Sequence, residues 1–489
     1  MTENRYRKIK SIILFSVICS LIVYVVLRAY YLSFTHDECL SYKIITGNKA
    51  IAKTANNHFI NTWLMYVFYY LFGAQEIFLR LPNILAFILY SFFTYKILIK
   101  VSNVFLMLLG TSLLLLNPYL LDFFCLARGY GLSLGFGLAA LFFLFKQDGF
   151  ITYKHYIKGL SLSLLFSLLS AYSNLICINL NVSLMIVFLI ELFFLVKNKT
   201  IQLNKKRIGA IVVIFILNLF FLFILVNQLL VLKNNNELYF GKPNGFIDST
   251  LTILIHRSIY LSYYGEQFWI RIRQIIIMVY LITIVYQICS KEYSHLARIT
   301  ILLLLMVFAS ILQHYMFDAL YPSERTALIF IPLFGLFIYY LFLDIYSKLF
   351  TKRITKIAFN LFILLIFCLP LGWHLVNNLN LKYTIDWKQD SYTKDIMKII
   401  IENHKKDIYK SGKISISNTW FFESSINYYR DLYSMDYINS ANRLGIDKST
   451  DFIYCTMEEK GMLIAEEHYS ILSEYKDTET ILMKKSNCN

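Results

Sequence analysis

Residues 11–40 read SIILFSVICSLIVYVVLRAYYLSFTHDECL, and the fold turns on how that stretch is parsed. Residues 11–31 are apolar and long enough to cross the hydrocarbon of a bilayer, which takes roughly 20 residues of helix. The run is too long for the apolar region of a secretory leader, follows a basic start, and lacks a small-residue cleavage site, so it is expected to be retained. Directly beyond it stand His36, Asp37 and Glu38. Carboxylates at a membrane exit are costly and admit two readings. They cap a short interfacial helix beginning near Cys39, where negative charge is favoured at a helix N-terminus, or they belong to a functional site.

The same apolar pattern recurs along the chain. Hydrophobic residues make up 57% of the 489 and charged ones only 16%, and further runs at 83–99, 101–121, 131–145, 159–171, 176–196, 208–232, 275–288, 299–317, 327–346 and 357–373 fit membrane helices. The expected fold class is a polytopic α-helical membrane protein of about eleven transmembrane helices. Residues 59–72 (FINTWLMYVFYYLF) are apolar but shorter than a span and interleaved with Trp63, Tyr66, Tyr69 and Tyr70, which predicts a helix lying in the interface.

With 59–72 not crossing, the lysines and arginines of the N-terminus and alternate loops collect on one side, the cytoplasmic one by the positive-inside rule. The opposite side carries His36, Asp37, Glu38, His58, Asp122, Arg128, the loops 233–273 and 321–325, and everything after 374. The chemically suggestive residues thus share one face. The net charge of +16 fits the basic loops meeting anionic lipid and calls for no nucleic acid. The Ile, Lys, Asn and Tyr bias fits an AT-rich bacterium, so the expected location is a bacterial inner (cytoplasmic) membrane with the N-terminus inside.

After residue 375 the composition turns polar, which divides the chain into a membrane domain, 1–375, and an extracytoplasmic α/β domain, 376–489. A helix is expected over 391–409, with Ile396, Ile399, Ile400 and Ile408 on one face, a strand over 413–417, a helix over 421–429 and strands at 452–455 and 480–483. No Gly-rich phosphate loop or nucleophile elbow occurs there, so its role is accessory. Cys19, Cys177, Cys289 and Cys368 read as packing residues. Cys455 and Cys488 lie where a disulfide is permitted, with no spacing that pairs them. Cys39 beside Asp37 is not enough for a zinc site.

The polar residues supply the parts that sugar transfer from a polyprenyl-phosphate donor requires. Asp37 or Glu38 can take a proton from an acceptor hydroxyl. Arg128, within Leu126-Ala127-Arg128-Gly129-Tyr130, and Arg325, within Tyr321-Pro322-Ser323-Glu324-Arg325-Thr326, can fork onto phosphate oxygens, or else snorkel to the interface. Asp122 can hold Arg128, act as a second acid, or simply end the third span. His58 can orient a substrate hydroxyl or anchor its helix. Tyr130, Tyr321 and His36 complete the substrate-binding candidates.

The sequence His36-Asp37-Glu38, then Asn57-His58, Leu71-Phe72-Gly73 and Phe78-Leu79-Arg80-Leu81-Pro82-Asn83 resembles the N-terminal part of GT-C glycosyltransferases, in particular the protein O-mannosyltransferase and lipid A aminoarabinose transferase group (glycosyltransferase family 39-like). Ala127-Arg128-Gly129-Tyr130 is similar to that group's Ala-Arg-x-Tyr element, and Arg325 to Pro332 to its later Arg-containing loop. The resemblance implies an acidic residue of the first external loop as base, on Asp37 with Glu38 as neighbour or substitute, and donor-phosphate contacts from Arg128, Arg325 and Arg80. It implies a polyprenyl-phosphate-sugar donor, a glycan, lipid or protein acceptor, and inversion at the anomeric carbon. A divalent metal, Mg or Mn, serves some branches and not others, and no ligand set here assigns one. Where many relatives have His-Pro this chain has His58-Phe59. The alternatives are a transporter or flippase of polyprenyl-linked glycans, whose charges would gather on broken helices near the midplane, and a non-catalytic polyprenyl-phosphate binder.

Overall fold

A computed structural model describes residues 3–48, 50–146, 152–260, 264–290, 292–406, 413–464 and 469–485. Every apolar run of the sequence falls on a helix, and among the described residues eight helices are long and apolar enough to cross a membrane: Arg7–Tyr31, Glu76–Leu98, Leu175–Lys197, Lys205–Asn234, Glu266–Ser290, His295–Phe317, Phe330–Leu349 and Arg353–Asn378. The helices Gly129–Phe145 and Tyr153–Ser173 pack between them. Faces left exposed by this packing are apolar, Phe220, Phe223 and Ile282 among them. That is the surface expected where lipid rather than water is the solvent.

One expected span is corrected. The run 101–121 is two helices, Val104–Leu115 and Pro118–Asp122, because Asn117 takes the N-cap and accepts a hydrogen bond from Leu120 N, with Pro118 in the first turn. Proline there carries no N–H to leave unsatisfied and its φ is already helical. The break delivers Asp122 and the Phe123–Arg128 segment into the protein rather than into a loop.

Phe59–Phe72 forms a helix of 14 residues ending at Gly73, whose φ is +91°. Asn61 and Met65 face inward while Trp63, Tyr66 and Tyr70 remain exposed, an arrangement suited to an interface where aromatic rings sit at headgroup depth.

The C-terminal part contains helices Thr393–Lys406 and Glu423–Leu432 and a four-stranded sheet. Its strands are β1 (Ile416–Asn418), β2 (Phe452–Thr456), β3 (Tyr469–Tyr475) and β4 (Thr480–Lys485), in the order β1-β2-β4-β3, with β1 and β2 parallel and the other pairs antiparallel. β3 has no counterpart among the expected elements, since its Ser470, Ser473 and Glu474 read as loop although an edge strand tolerates them. Ile396 and Ile400 are fully buried as the helical spacing requires. Ile408 and Cys488 lie outside the described residues, and Cys455 is buried on β2 with no disulfide partner among the described residues.

This part does not hang free. Phe34, Cys39, Met65, Leu79 and Ala127 share one apolar cluster with Ile396, Phe422, Ile426 and Tyr429. Tyr429 Oη accepts from Phe34 N at 2.7 Å, and Tyr428 Oη donates to Ala74 O at 2.6 Å. The membrane helix runs to Asn378, three residues beyond the expected boundary.

Candidate active site

The chain leaves its first span through Ser33-Phe34-Thr35, and Thr35 begins the helix His36–Ile45 with a capping box in which Thr35 and Glu38 satisfy each other's backbone N–H groups. Of the two carboxylates, Glu38 is therefore the capping one. It does more than cap. Its Oε1 accepts from Arg80 Nε at 2.8 Å and from Ala127 N at 2.6 Å, and its Oε2 from Arg80 Nη2 at 2.7 Å and Thr35 N at 2.9 Å.

Arg80 in turn gives its remaining donors to the carbonyls of Ala29, Leu32 and Ser33. A guanidinium has five N–H groups and these contacts occupy all five, so Arg80 has none for a phosphate. The expected donor contact from Arg80 and the expected chemistry at Glu38 are both replaced by a fully buried ion pair that ties the exit of the first span to the Glu76–Leu98 helix. Glu38→Gln leaves that guanidinium buried and uncompensated, and is expected to cost about 3–5 kcal/mol of stability. Thermal unfolding in detergent measures this, and an unchanged midpoint would remove the pair from the scaffold.

Asp37, one residue earlier, points elsewhere. Its Oδ2 lies 3.5 Å from Arg128 Nη2 and 3.4 Å from Arg325 Nη2. Burial would raise the Asp37 carboxyl, but the Arg128 and Arg325 guanidinium groups outweigh it and hold the group below its usual value, as a carboxylate. Oδ2 nevertheless accepts no hydrogen bond among the described residues.

Arg128 is the N-cap residue of Gly129–Phe145 and is 1% exposed, so it does not snorkel. Its Nη1 donates to Asp37 O at 3.1 Å, Ser41 Oγ at 3.1 Å and Asn56 O at 3.2 Å, while its Nε finds no partner among the described residues. Arg325, in the single turn Glu324–Ala327, sits between two rings, 4.9 Å from the centroid of Phe240 and 5.0 Å from that of Trp387. Stacking of this kind fixes a guanidinium plane while leaving its edge available.

His58 completes the group. Its Nδ1 lies 2.9 Å from Ser173 O, and since a carbonyl only accepts, that nitrogen carries the proton. Nε2 is then a buried lone pair with no partner among the described residues. Burial, reinforced by Arg128, pushes the imidazole down to about 3, so it stays neutral. Tyr130 packs its ring 4.9 Å from His58. This approach depends on Gly129, where a Cβ would stand 2.1 Å from Ser173 O and 2.7 Å from His58 Cβ.

The other candidates lie apart from this cluster. Asp122 does not hold Arg128 but pairs with Arg28 of the first span, and also accepts from Tyr260 Oη at 3.0 Å and Ile385 N at 3.0 Å. It anchors the segment leaving the last membrane helix. Tyr321 stacks on His314 at 4.5 Å and bridges to Lys242 through its backbone, a loop brace rather than a substrate contact. His36 faces the C-terminal domain, with Nδ1 2.7 Å from Phe421 O and its backbone N donating to Asp390 at 2.8 Å. Burial pushes the Asp390 carboxyl up to about 8.

Several contributors carry no signal in the sequence. Ser41, Asn56, Ser173 and Phe240 are ordinary loop or helix residues by their neighbours. Trp387 shows only as a lone ring in a polar stretch. Asp386, next to it, accepts from Tyr119 Oη at 3.1 Å, pairs with Arg257 at 3.5 Å and is raised to about 6 by burial. Among the described residues no group of three or more His, Cys, Asp or Glu side chains is arranged to hold a metal ion.

No family profile and no curated protein sequence matches this chain. Among solved structures, it is similar to ArnT from Cupriavidus metallidurans bound to undecaprenyl phosphate, with a TM-score of 0.54 at 11% identity over 98% of both chains. The apo state of ArnT from the same organism gives a TM-score of 0.49 at 9% identity over 96% of this chain and 97% of that one. An Archaeoglobus fulgidus oligosaccharyltransferase in complex with zinc and sulfate gives 0.30 at 11% identity over 95% and 73%. The fold assignment rests on the first of these. The chain shares the fold of that structure, a polytopic helical membrane protein, here with a small C-terminal α/β domain.

Proposed function

We propose that this protein is a membrane glycosyltransferase that moves a sugar from a polyprenyl-phosphate donor to an acceptor on the side of the membrane bearing Asp37. The observation that carries this reading is the meeting of Asp37 with Arg128 and Arg325, drawn from segments far apart in the chain, at 3.5 and 3.4 Å. That the similarly folded ArnT has been crystallised with undecaprenyl phosphate supports the donor class.

Asp37 lies where a donor phosphate would bridge the two guanidinium groups. When the phosphate arrives it replaces the carboxylate as their partner. Asp37 then loses the cations that depress it, its affinity for a proton rises, and it becomes a competent base. The acceptor hydroxyl attacks the anomeric carbon in line, its proton passes to Asp37, and the bond from that carbon to the phosphate oxygen breaks. Polyprenyl phosphate leaves with the electron pair. Arg128 and Arg325 stabilise the charge that grows on it, and the unpartnered Arg128 Nε can add a hydrogen bond. Neutral His58 can accept from a hydroxyl of sugar or acceptor through Nε2.

While Arg128 and Arg325 face Asp37 Oδ2 at 3.5 and 3.4 Å, a divalent cation would have to compete with them for that oxygen. Trp387 against Arg325 gives the C-terminal domain a part in the site, beyond the accessory role its sequence suggests.

Purified protein incubated with radiolabelled polyprenyl-phosphate sugars and a cell-envelope extract is expected to label an acceptor. Retention of donor without turnover would indicate a binder, and movement of donor across sealed vesicles a flippase. Either result would overturn the transferase reading.

A further inference from the structure

Arg257 sits in the last turn of the short helix Ile253–Ser258, between the helices Lys205–Asn234 and Glu266–Ser290. Its guanidinium reaches two carboxylates at once: Nη2 donates to Glu324 Oε1 at 2.6 Å, and Nη1 lies 3.5 Å from Asp386 Oδ1. Each of those carboxylates is the chain neighbour of a residue already placed in the site. Glu324 precedes Arg325, and Asp386 precedes Trp387, whose ring centroid is 5.0 Å from the Arg325 guanidinium. One side chain from a third segment therefore joins the two halves of that stack.

The two carboxylates differ in how well water can screen them. The Glu324 side chain is 35% exposed and that of Asp386 only 3%. Asp386 accepts from Tyr119 Oη at 3.1 Å, and the positive charges that act on it are Arg257 first and Arg325 second. Buried charges are kept paired. Without Arg257, the cation left for Asp386 is Arg325, the group that has to face a phosphate. Glu324 also has a φ of +51°, in the left-handed region that residues bearing a side chain rarely adopt. The turn that presents Arg325 is thus held by contacts, from Arg257 onto Glu324 and from Ser323 N to Thr326 Oγ1 at 2.8 Å.

We propose that Arg257 is a positioning residue for the donor phosphate: by holding Asp386 it keeps that carboxylate from claiming Arg325, and so leaves Arg325 to the phosphate. Arg325 already faces one carboxylate, Asp37, at 3.4 Å, and a second would add to the charge that an arriving phosphate has to displace. This role rests on the transferase reading for its ligand and extends it to a residue that touches neither donor nor acceptor.

The test is titration of the purified full-length protein in detergent with undecaprenyl phosphate. Arg257→Gln is expected to weaken binding about tenfold, within the range over which neighbouring residues couple, and Arg257→Gln combined with Asp386→Asn to return it to within about twofold of native. A merely structural arginine would give no such recovery, because the second substitution supplies no replacement for the lost bridge. Native affinity in Arg257→Gln, or a double variant as weak as the single one, would overturn the proposal. If the single variant fails to fold, the double one decides, since it strands no charge at position 386: near-native affinity supports the proposal and a loss of about tenfold overturns it. Failure of the transferase reading looks different, because the native protein would then bind undecaprenyl phosphate no better than Arg325→Ala, and reading and proposal would fall together.

Discussion

Asp37→Asn is expected to lower transfer by about 10²–10⁴-fold, the usual worth of a positioned general base, while the protein remains folded in its membrane. The substitution keeps the side chain's shape and removes only its charge and basicity. Donor affinity gives the distinguishing readout. Asp37 pairs with Arg128 and Arg325, and in the proposed mechanism the donor phosphate competes with it for them, so the asparagine variant should bind polyprenyl phosphate as tightly as the native protein or more so. A variant that turned over normally would move the base to another residue. One that lost donor binding in step with turnover would make Asp37 a structural partner of the arginines.

The arginines should give the reverse pattern. Arg128→Ala or Arg325→Ala is expected to weaken donor binding by about 2–5 kcal/mol, the range for truncating one partner of a buried charge pair, measured by titration with polyprenyl phosphate. Lysine is not a neutral substitute at either position. At 128 one ammonium can stand in for the Nη1 contacts to Asp37 O, Ser41 and Asn56 but not also for the Nη2 approach to Asp37 Oδ2 and the Nε–H, and at 325 it loses the flat face set against Phe240 and Trp387. Unchanged donor affinity in both alanine variants would return these residues to a purely structural role.

How much of this the sequence discloses depends on the kind of interaction. Membrane helices are legible because lipid demands long apolar runs, and all eleven runs are helical. The Val101–Leu121 region misleads because hydropathy is continuous through Asn117-Pro118, although that pair is itself a helix-start signal. Asp37, Arg128 and Arg325 are legible as a set, since charged residues at helix ends on one face stand out against an apolar chain. Their neighbours are sorted only by the structure. Glu38 and Asp37 are adjacent and alike in chemistry, yet one turns to Arg80 and the other to Arg128 and Arg325, because successive residues on a helix point about 100° apart. Nothing local reveals that Arg80 is saturated by Glu38 and three carbonyls or that Asp122 belongs to Arg28. These pairings span 42 to 94 positions, and a pairing at such separation leaves no periodicity to read. Trp387 and Phe240 escape for the same reason, as their role is to hold a guanidinium contributed by a third segment.

The central claim is that the donor phosphate takes the place of Asp37 between Arg128 and Arg325. A structure of the protein with undecaprenyl phosphate bound tests it most directly. The phosphate oxygens are expected within hydrogen-bonding distance of both guanidinium groups, with the Asp37 carboxylate turned away from them. A phosphate lodged elsewhere, with the Arg128–Asp37–Arg325 contacts intact, would contradict it.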